Sequence, residues 1–167
     1  MSRFINWLLG GKKGFSQYNI NGYRYNVEKV DPKEDREVAY TLAALNATAI
    51  RIITLIARFI YAADHGELRP EDADIPIERL RTIYGRLRVR YNAEMMFESI
   101  GNHGSTSFVI NQGEEIHMCV RGENPTVILT VLVHELAHVA SVSYEHTQEF
   151  WDNYALLQKM VSRFGLI

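Results

Sequence analysis

Two histidines four residues apart, His134 and His138, with a carboxylate between them at Glu135, are the residues of this chain best suited to chemistry. On a helix, positions i and i+4 lie one above the other on the same face, so the two imidazoles can converge on one metal ion. Glu135 is offset from that pair but close to it, where its carboxylate can take a proton from water. Zinc fits such a site, because it lowers the pKa of bound water to about 7 and polarises a nearby carbonyl. An open catalytic site of this kind needs a third protein ligand. His146 is the leading candidate, since it stands at a turn just ahead of Thr147, the predicted N-cap of the last helix. Glu145, Glu149 and Asp152 compete with it as carboxylate ligands, or serve as groups that orient a ligating imidazole.

Histidines four apart also occur on ordinary helix surfaces, so the surroundings decide. The run Val127–Val133 that leads into the motif is almost wholly apolar. The helix that carries it is therefore expected to be buried, and a charged Glu135 on a buried helix needs a reason.

The elements that must position these residues read as follows. Tyr18–Ile20 and Tyr23–Val30 flank Asn21-Gly22, a favoured two-residue hairpin turn. Asp31-Pro32 opens a long helix that runs to about Ala63 and stops at His65-Gly66. Residues 67–76 form a polar surface loop, and 77–84 a short helix. From Arg86, arginines alternate with Leu87, Val89 and Tyr91, which predicts extended structure. Ser105–Ile110 and Glu115–Arg121 predict a hairpin around Gly113. Helices follow at Thr126–Ala140 and Thr147–Phe164, the last with Phe150, Trp151, Tyr154, Leu157 and Val161 at core spacing. Strands and helices are segregated rather than alternating, an α+β arrangement.

With 167 residues, one domain and one core are expected, spanning 15–167. Residues 1–14 form a separate N-terminal segment in which Phe4, Trp7 and Leu8 follow helical spacing. A net charge of −2 gives no reason to expect a polyanion partner. The lone Cys119 excludes an intramolecular disulfide and a thiolate-rich zinc cluster, which fits an intracellular, soluble protein of cytoplasm or nucleus. Residues 38–63 are apolar enough to span a bilayer, but Arg51 and Arg58 would each cost about 2.5–3.5 kcal/mol at its centre. They share a stripe with Glu37 and Thr54, so a core helix with a wet face is expected, with no membrane span.

The segment His134–Trp151, read as HELAH and then EHTQEFW, resembles the active-site signature of the SprT/WLM group of zincin metallopeptidases. The segment GEEIHMCVRG is similar to the strand that borders the cleft in zincins, and residues 86–164 are similar in organisation to short stand-alone forms in large DNA viruses. The resemblance implies a zincin-like fold with Zn2+ on His134, His138 and His146, Glu135 as catalytic base, and proteolysis of protein or peptide substrates. It implies a virion or virus factory as location if the chain is viral. In the best-known members the substrates are proteins crosslinked to DNA. The group usually carries a glycine just ahead of its third histidine. This chain has Glu145 there and no glycine between His138 and His146, which leaves the conformation of the turn open.

Other residues have two readings each. His117 either faces the cleft as an oxyanion stabiliser or is a surface or partner-bonded strand histidine. Tyr144 and Tyr154 are oxyanion donors or core residues, and His103 is a loop residue. Arg79, Arg81, Arg86, Arg88 and Arg90, with Tyr84 and Tyr91, form a basic cluster that either follows a phosphate backbone or is a solvated face. Two alternatives to the peptidase therefore stand: a non-catalytic zinc-binding interaction protein, and a DNA-associated factor that uses the Arg79–Arg90 cluster. For the peptidase, strand addition at the edge of Glu115–Val120 is the expected mode of substrate binding.

Overall fold

The computed structural model describes residues 14–100 and 107–167, so the N-terminal segment with Phe4, Trp7 and Leu8, and His103, lie outside the described residues. Strands β1 (Phe15–Ile20) and β2 (Tyr23–Glu28) form the expected hairpin. Asn21 and Gly22 both take positive φ, 52° and 86°, as the tight turn between right-twisted strands requires.

Helix α1 (Pro32–Asp64) begins where Asp31 accepts a hydrogen bond from the Glu34 N–H, with Pro32 in the first turn, and ends at His65. Its inner face buries Val38, Leu42, Leu45, Ala49, Ile52 and Ile56, while Glu37, Arg51, Thr54 and Arg58 are exposed on the opposite stripe. Leu42, Ile52 and Ile56 are completely buried, each a stabilisation of about 1.5–3 kcal/mol. Among the described residues α1 is the one helix long and apolar enough to cross a membrane. Its buried side packs across β1, β2 and the third strand of the sheet.

Helix α2 (Ile77–Arg90) corrects the sequence reading, which ended this helix at residue 84 and continued as extended chain. Leu80, Ile83 and Leu87 recur at helical spacing and are completely buried, whereas Val89 is exposed. The local alternation of arginine with apolar residues mimics a strand. Arginine is nonetheless a good helix former, and the buried stripe decides.

Three short strands complete a mixed sheet: β3 (Met96–Glu98), β4 (Phe108–Ile110) and β5 (Glu115–Met118). The order is β1-β2-β3-β5-β4, with β2, β3 and β5 parallel and the outer two antiparallel to their neighbours. This overturns the expected docking edge: the strand at Glu115–Met118 is flanked on both sides, and the edge strands among the described residues are β1 and, next to β5, β4. β3 was not anticipated. The second strand of the predicted 105–121 hairpin also stops at Met118 rather than Arg121.

Tyr25, Val27, Met96, Ile116 and Met118 turn to the helices and join one hydrophobic core. On the other face Phe97, His117 and Phe108 occupy neighbouring positions on β3, β5 and β4 and stack, with ring centroids 4.7 and 4.4 Å apart. Helix α3 (Pro125–Val139) contacts β4, α1 and α2, and helix α4 (Gln148–Arg163) packs on α3 and α2. The structure is thus α+β, as the element order implied.

Candidate metal centre

Helix α3 starts at Asn124, whose side chain accepts from the Thr126 N–H, and Pro125 holds its first position. Ile128, Leu132, Val133, Leu136, Ala137 and Val139 anchor it in the core. His134 and His138 sit half-buried along its cleft side. The chain then crosses a short connection and enters α4, capped by Thr147, whose hydroxyl accepts from the Phe150 N–H. His146 is held one residue ahead of that cap.

The three imidazoles meet. Nε2 of His146 lies 3.2 Å from Nε2 of His134 and 3.0 Å from Nε2 of His138. Tetrahedral ligands at zinc–nitrogen distances of about 2.0–2.1 Å would stand roughly 3.3 Å apart, so the spacing fits a shared ion. Among the described residues these three are the group able to hold a metal; Glu145, Glu149 and Asp152 are not part of it. Glu149 accepts from the Val142 N–H and faces Arg86, and Asp152 pairs with Arg79 and Gln148.

Phe150, completely buried, floors the site: its ring centroid lies 4.9, 4.3 and 4.6 Å from those of His134, His138 and His146. Sequence reading placed Phe150 in the core but missed this role. Trp151 was expected in the core and is instead 48 % exposed, because Asn153 takes the inward position and the indole covers the outer side of His146. Tyr154, half-buried, packs edge-on to His134. Tyr144 is 72 % exposed on the rim of the cleft, so its reading as a core residue is wrong.

The electrostatics set the imidazoles apart from the carboxylate. Burial, together with the neighbouring His134 and His146, pushes the His138 pKa down to about 4, and burial with His146 also lowers that of His134. Neutral imidazole is the form that ligates a cation. Glu135 is 3 % exposed, and burial raises its pKa to about 7. Its Oε2 is buried with no hydrogen-bond partner. Such an atom costs about 1–3 kcal/mol or more and calls for an explanation.

Glu135 and His134 form the shared wall of two clefts that also meet at Ser107. One, of about 250 Å³, is bounded by Phe108 and Val109 of the edge strand β4, by Gln112 and by Tyr144. The other, of about 290 Å³, runs past Cys119 and Glu123 to Val127, Ile128 and Val131. Cys119 lies just past β5, where its N–H donates to the Ser107 hydroxyl. The edge residues Phe108 and Val109 were missed as cleft residues because strand order cannot be read from one sequence.

The remaining candidates lie elsewhere. His117 is 5 % exposed, bonded to Glu115 at 2.7 Å and sandwiched between Phe97 and Phe108, so it is the partner-bonded strand histidine and not a cleft group. Four of the five clustered arginines hold the fold together. Arg79 donates to Asn153, Arg81 pairs with Asp64, Arg86 donates to the Ala140 carbonyl, and Arg90 to those of Val139 and Ser141. Arg88 is exposed.

No family model matches the chain, and no solved structure matches it. A 71-residue stretch is 31 % identical to "Uncharacterized protein R325" of Acanthamoeba polyphaga mimivirus, over 39 % of this chain and 36 % of that protein. The chain thus spans little more than a third of the length of the curated relative it matches.

Proposed function

We propose that this chain is a zinc-dependent endopeptidase of zincin type, with His134, His138 and His146 as ligands and Glu135 as the base. The observation that carries the reading is the pairing of two features in one cleft. The His146 Nε2 lies 3.2 and 3.0 Å from those of His134 and His138, all three ligand atoms fall within 4.8 Å of one another, and beside them stands a buried carboxylate with an unpartnered oxygen. Neutral imidazoles at that distance need a shared proton or cation between them, and a three-nitrogen set leaves one tetrahedral position open.

When bound, zinc would supply Lewis-acid polarisation and a water ionising near pH 7. Glu135 removes a proton from the attacking water and returns it to the departing amine. A pKa of about 7 suits both halves of that task, since the carboxyl is then neither too weak a base nor too weak an acid at neutral pH. Phe150 and the apolar inner face of α3 keep bulk water from the inner side of the ligands. The free edge of β4 takes an extended peptide by strand addition and lays it across the imidazoles.

DNA-associated or DNA-crosslinked proteins are the substrate class that the resemblance to SprT/WLM peptidases suggests. The rival reading through the arginine cluster finds less support, because Arg79, Arg81, Arg86 and Arg90 already have protein partners.

The test is metal analysis with a cleavage assay, with and without DNA, on the wild type and on Glu135→Gln. One zinc per chain in both proteins is expected, with cleavage reduced about 10²–10⁴-fold in the variant, the usual weight of a general base. Wild-type protein without bound zinc, or equal cleavage by both forms, would overturn the proposal.

A further inference from the structure

The resemblance left one problem: how a chain without a glycine ahead of His146 brings that imidazole to the site. Among the described residues, positive φ at non-glycine positions is confined to Asn21, Asn111 and Gln112, so nothing between Ala140 and Thr147 needs a left-handed backbone. The connection turns without one. It is fastened from outside instead, and the sharp backbone lies across the cleft, in the β4–β5 turn. There Asn111, Gln112 and Gly113 take φ of 48°, 56° and 121° in succession.

That turn is seated firmly. A Cβ on Gly113 would meet the Arg90 carbonyl oxygen at 2.5 Å and Val139 at 3.1 Å, so only glycine lets the turn lie against the ends of α2 and α3. The Asn92 N–H donates to the Gly113 carbonyl, which ties the turn to the chain leading into β3. From this base the half-buried Gln112 side chain crosses to the far bank. Its amide nitrogen donates to the Ser141 carbonyl at 2.9 Å and also to the Val142 carbonyl. Arg90 donates to the same Ser141 carbonyl at 3.1 Å, and Glu149 accepts the Val142 N–H at 2.6 Å.

We propose that Gln112 is a positioning residue for the third metal ligand: by donating to the successive carbonyls of Ser141 and Val142 it holds the connection that presents His146. The proposal rests on the metal reading of His134, His138 and His146. Fixing a residue's backbone costs conformational entropy, and Val142, Tyr144, Glu145 and His146 are exposed. A third ligand on a free loop would meet that cost at each metal-binding event. Gln112 meets part of it in the folded chain beforehand.

The test uses Gln112→Glu, which keeps length and shape but replaces the donor with acceptors, and Gln112→Asn, which suits a positive φ but falls short of the carbonyls. Zinc affinity is measured by competition with a chromophoric chelator, and the visible spectrum is recorded with Co2+ in place of zinc. Both variants should keep the wild-type circular dichroism yet bind zinc about 10–100-fold more weakly, the usual effect of losing a group that orients a ligand. Their cobalt bands should lose the intensity of a tetrahedral three-imidazole site. A variant that was merely less stable would melt earlier while its folded fraction kept the wild-type affinity and spectrum, and that result overturns the proposal. Wild-type chain that takes up neither metal overturns the metal reading, and this inference with it.

Discussion

Two regions of this molecule bury carboxylates, and they do so in opposite ways. Where α1 meets the sheet, Glu98 is 0 % and Asp35 3 % exposed, and both are fully engaged. Arg121 donates to Glu98 at 2.8 Å and to Asp35 at 3.0 Å, while the N–H groups of Val30 and Asp31 also reach Asp35. Burial alone would push Asp35 up, but those backbone donors and the guanidinium outweigh it and hold the carboxyl below its usual range. In the cleft, Glu135 is equally buried and has no such company, so its pKa goes the other way, to about 7. The same residue chemistry serves folding in one place and works against it in the other. An unpartnered buried carboxylate beside a cleft marks a candidate functional group, whereas a fully engaged one marks a structural tie.

The largest expected effect breaks the satisfied site. Arg121→Met keeps much of the apolar stem but leaves two buried carboxylates without their cation. Removing one partner of a buried ion pair typically costs about 3–5 kcal/mol, so thermal or urea unfolding should show a loss of that order near pH 7. The sign of its pH dependence follows from Asp35. A folded pKa below the unfolded value of 3.8 contributes stability above that value and loses it as pH falls through the folded one. The gap between wild type and variant should therefore narrow below about pH 4. A gap that stayed constant down to pH 3 would show that packing, not charge, holds this corner.

Next comes the opposite substitution in the cleft, made on protein stripped of metal by a chelator. Glu135 ionises near 7 when folded and near 4.5 when free, so the folded state binds the extra proton between those values. Stability is unaffected below the lower pH and falls as pH rises through the interval. The full deficit is on the order of 3 kcal/mol above pH 7, at roughly 1.4 kcal/mol per pKa unit. Glu135→Gln should thus be more stable than wild type at pH 8 by about 2–3 kcal/mol and no more stable at pH 4. The histidines also titrate here, with the depressed His138 losing stability as pH falls from 6.5 towards about 4. The difference between the two proteins largely cancels that contribution. A variant less stable than wild type at pH 8 would mean that Glu135 has a partner after all.

Sequence reading served the two regions unequally, for reasons visible in particular residues. HELAH and His146 were legible because i,i+4 spacing and a helix cap are local geometry, and so were Asn21-Gly22, Asp31-Pro32 and Thr147. The satisfied site was invisible. Its members come from α1, β3 and the turn after β5, as much as 86 positions apart, and β3 is a three-residue strand buried throughout with no alternation to betray it. The arginine helix α2 was misread because its local alternation competed with a stripe whose meaning depends on what packs against Leu80, Ile83 and Leu87. The edge position expected for Glu115–Val120 failed for the same reason, since the pairing that leaves β4 outermost joins segments that no local signal connects.

The smallest effect sharpens the contrast by comparing two caps of the same kind. Asp31 caps α1 beside the satisfied carboxylates, accepting from Glu34, and Thr147 caps α4 beside the imidazoles, accepting from Phe150. Replacing either by alanine removes one acceptor from a helix start and should cost about 1 kcal/mol. The stability losses are therefore expected to be close to equal. Their consequences are not. The first turn of α4 carries Phe150, the floor beneath all three imidazoles, and His146 precedes the cap directly. Fraying there loosens His146, the proposed third ligand, so Thr147→Ala should weaken zinc binding several-fold in a chelator competition, while Asp31→Ala leaves it at the wild-type value. Equal zinc affinities in the two variants would mean that His146 is held by the connection before it alone, with the helix that follows contributing nothing to the site.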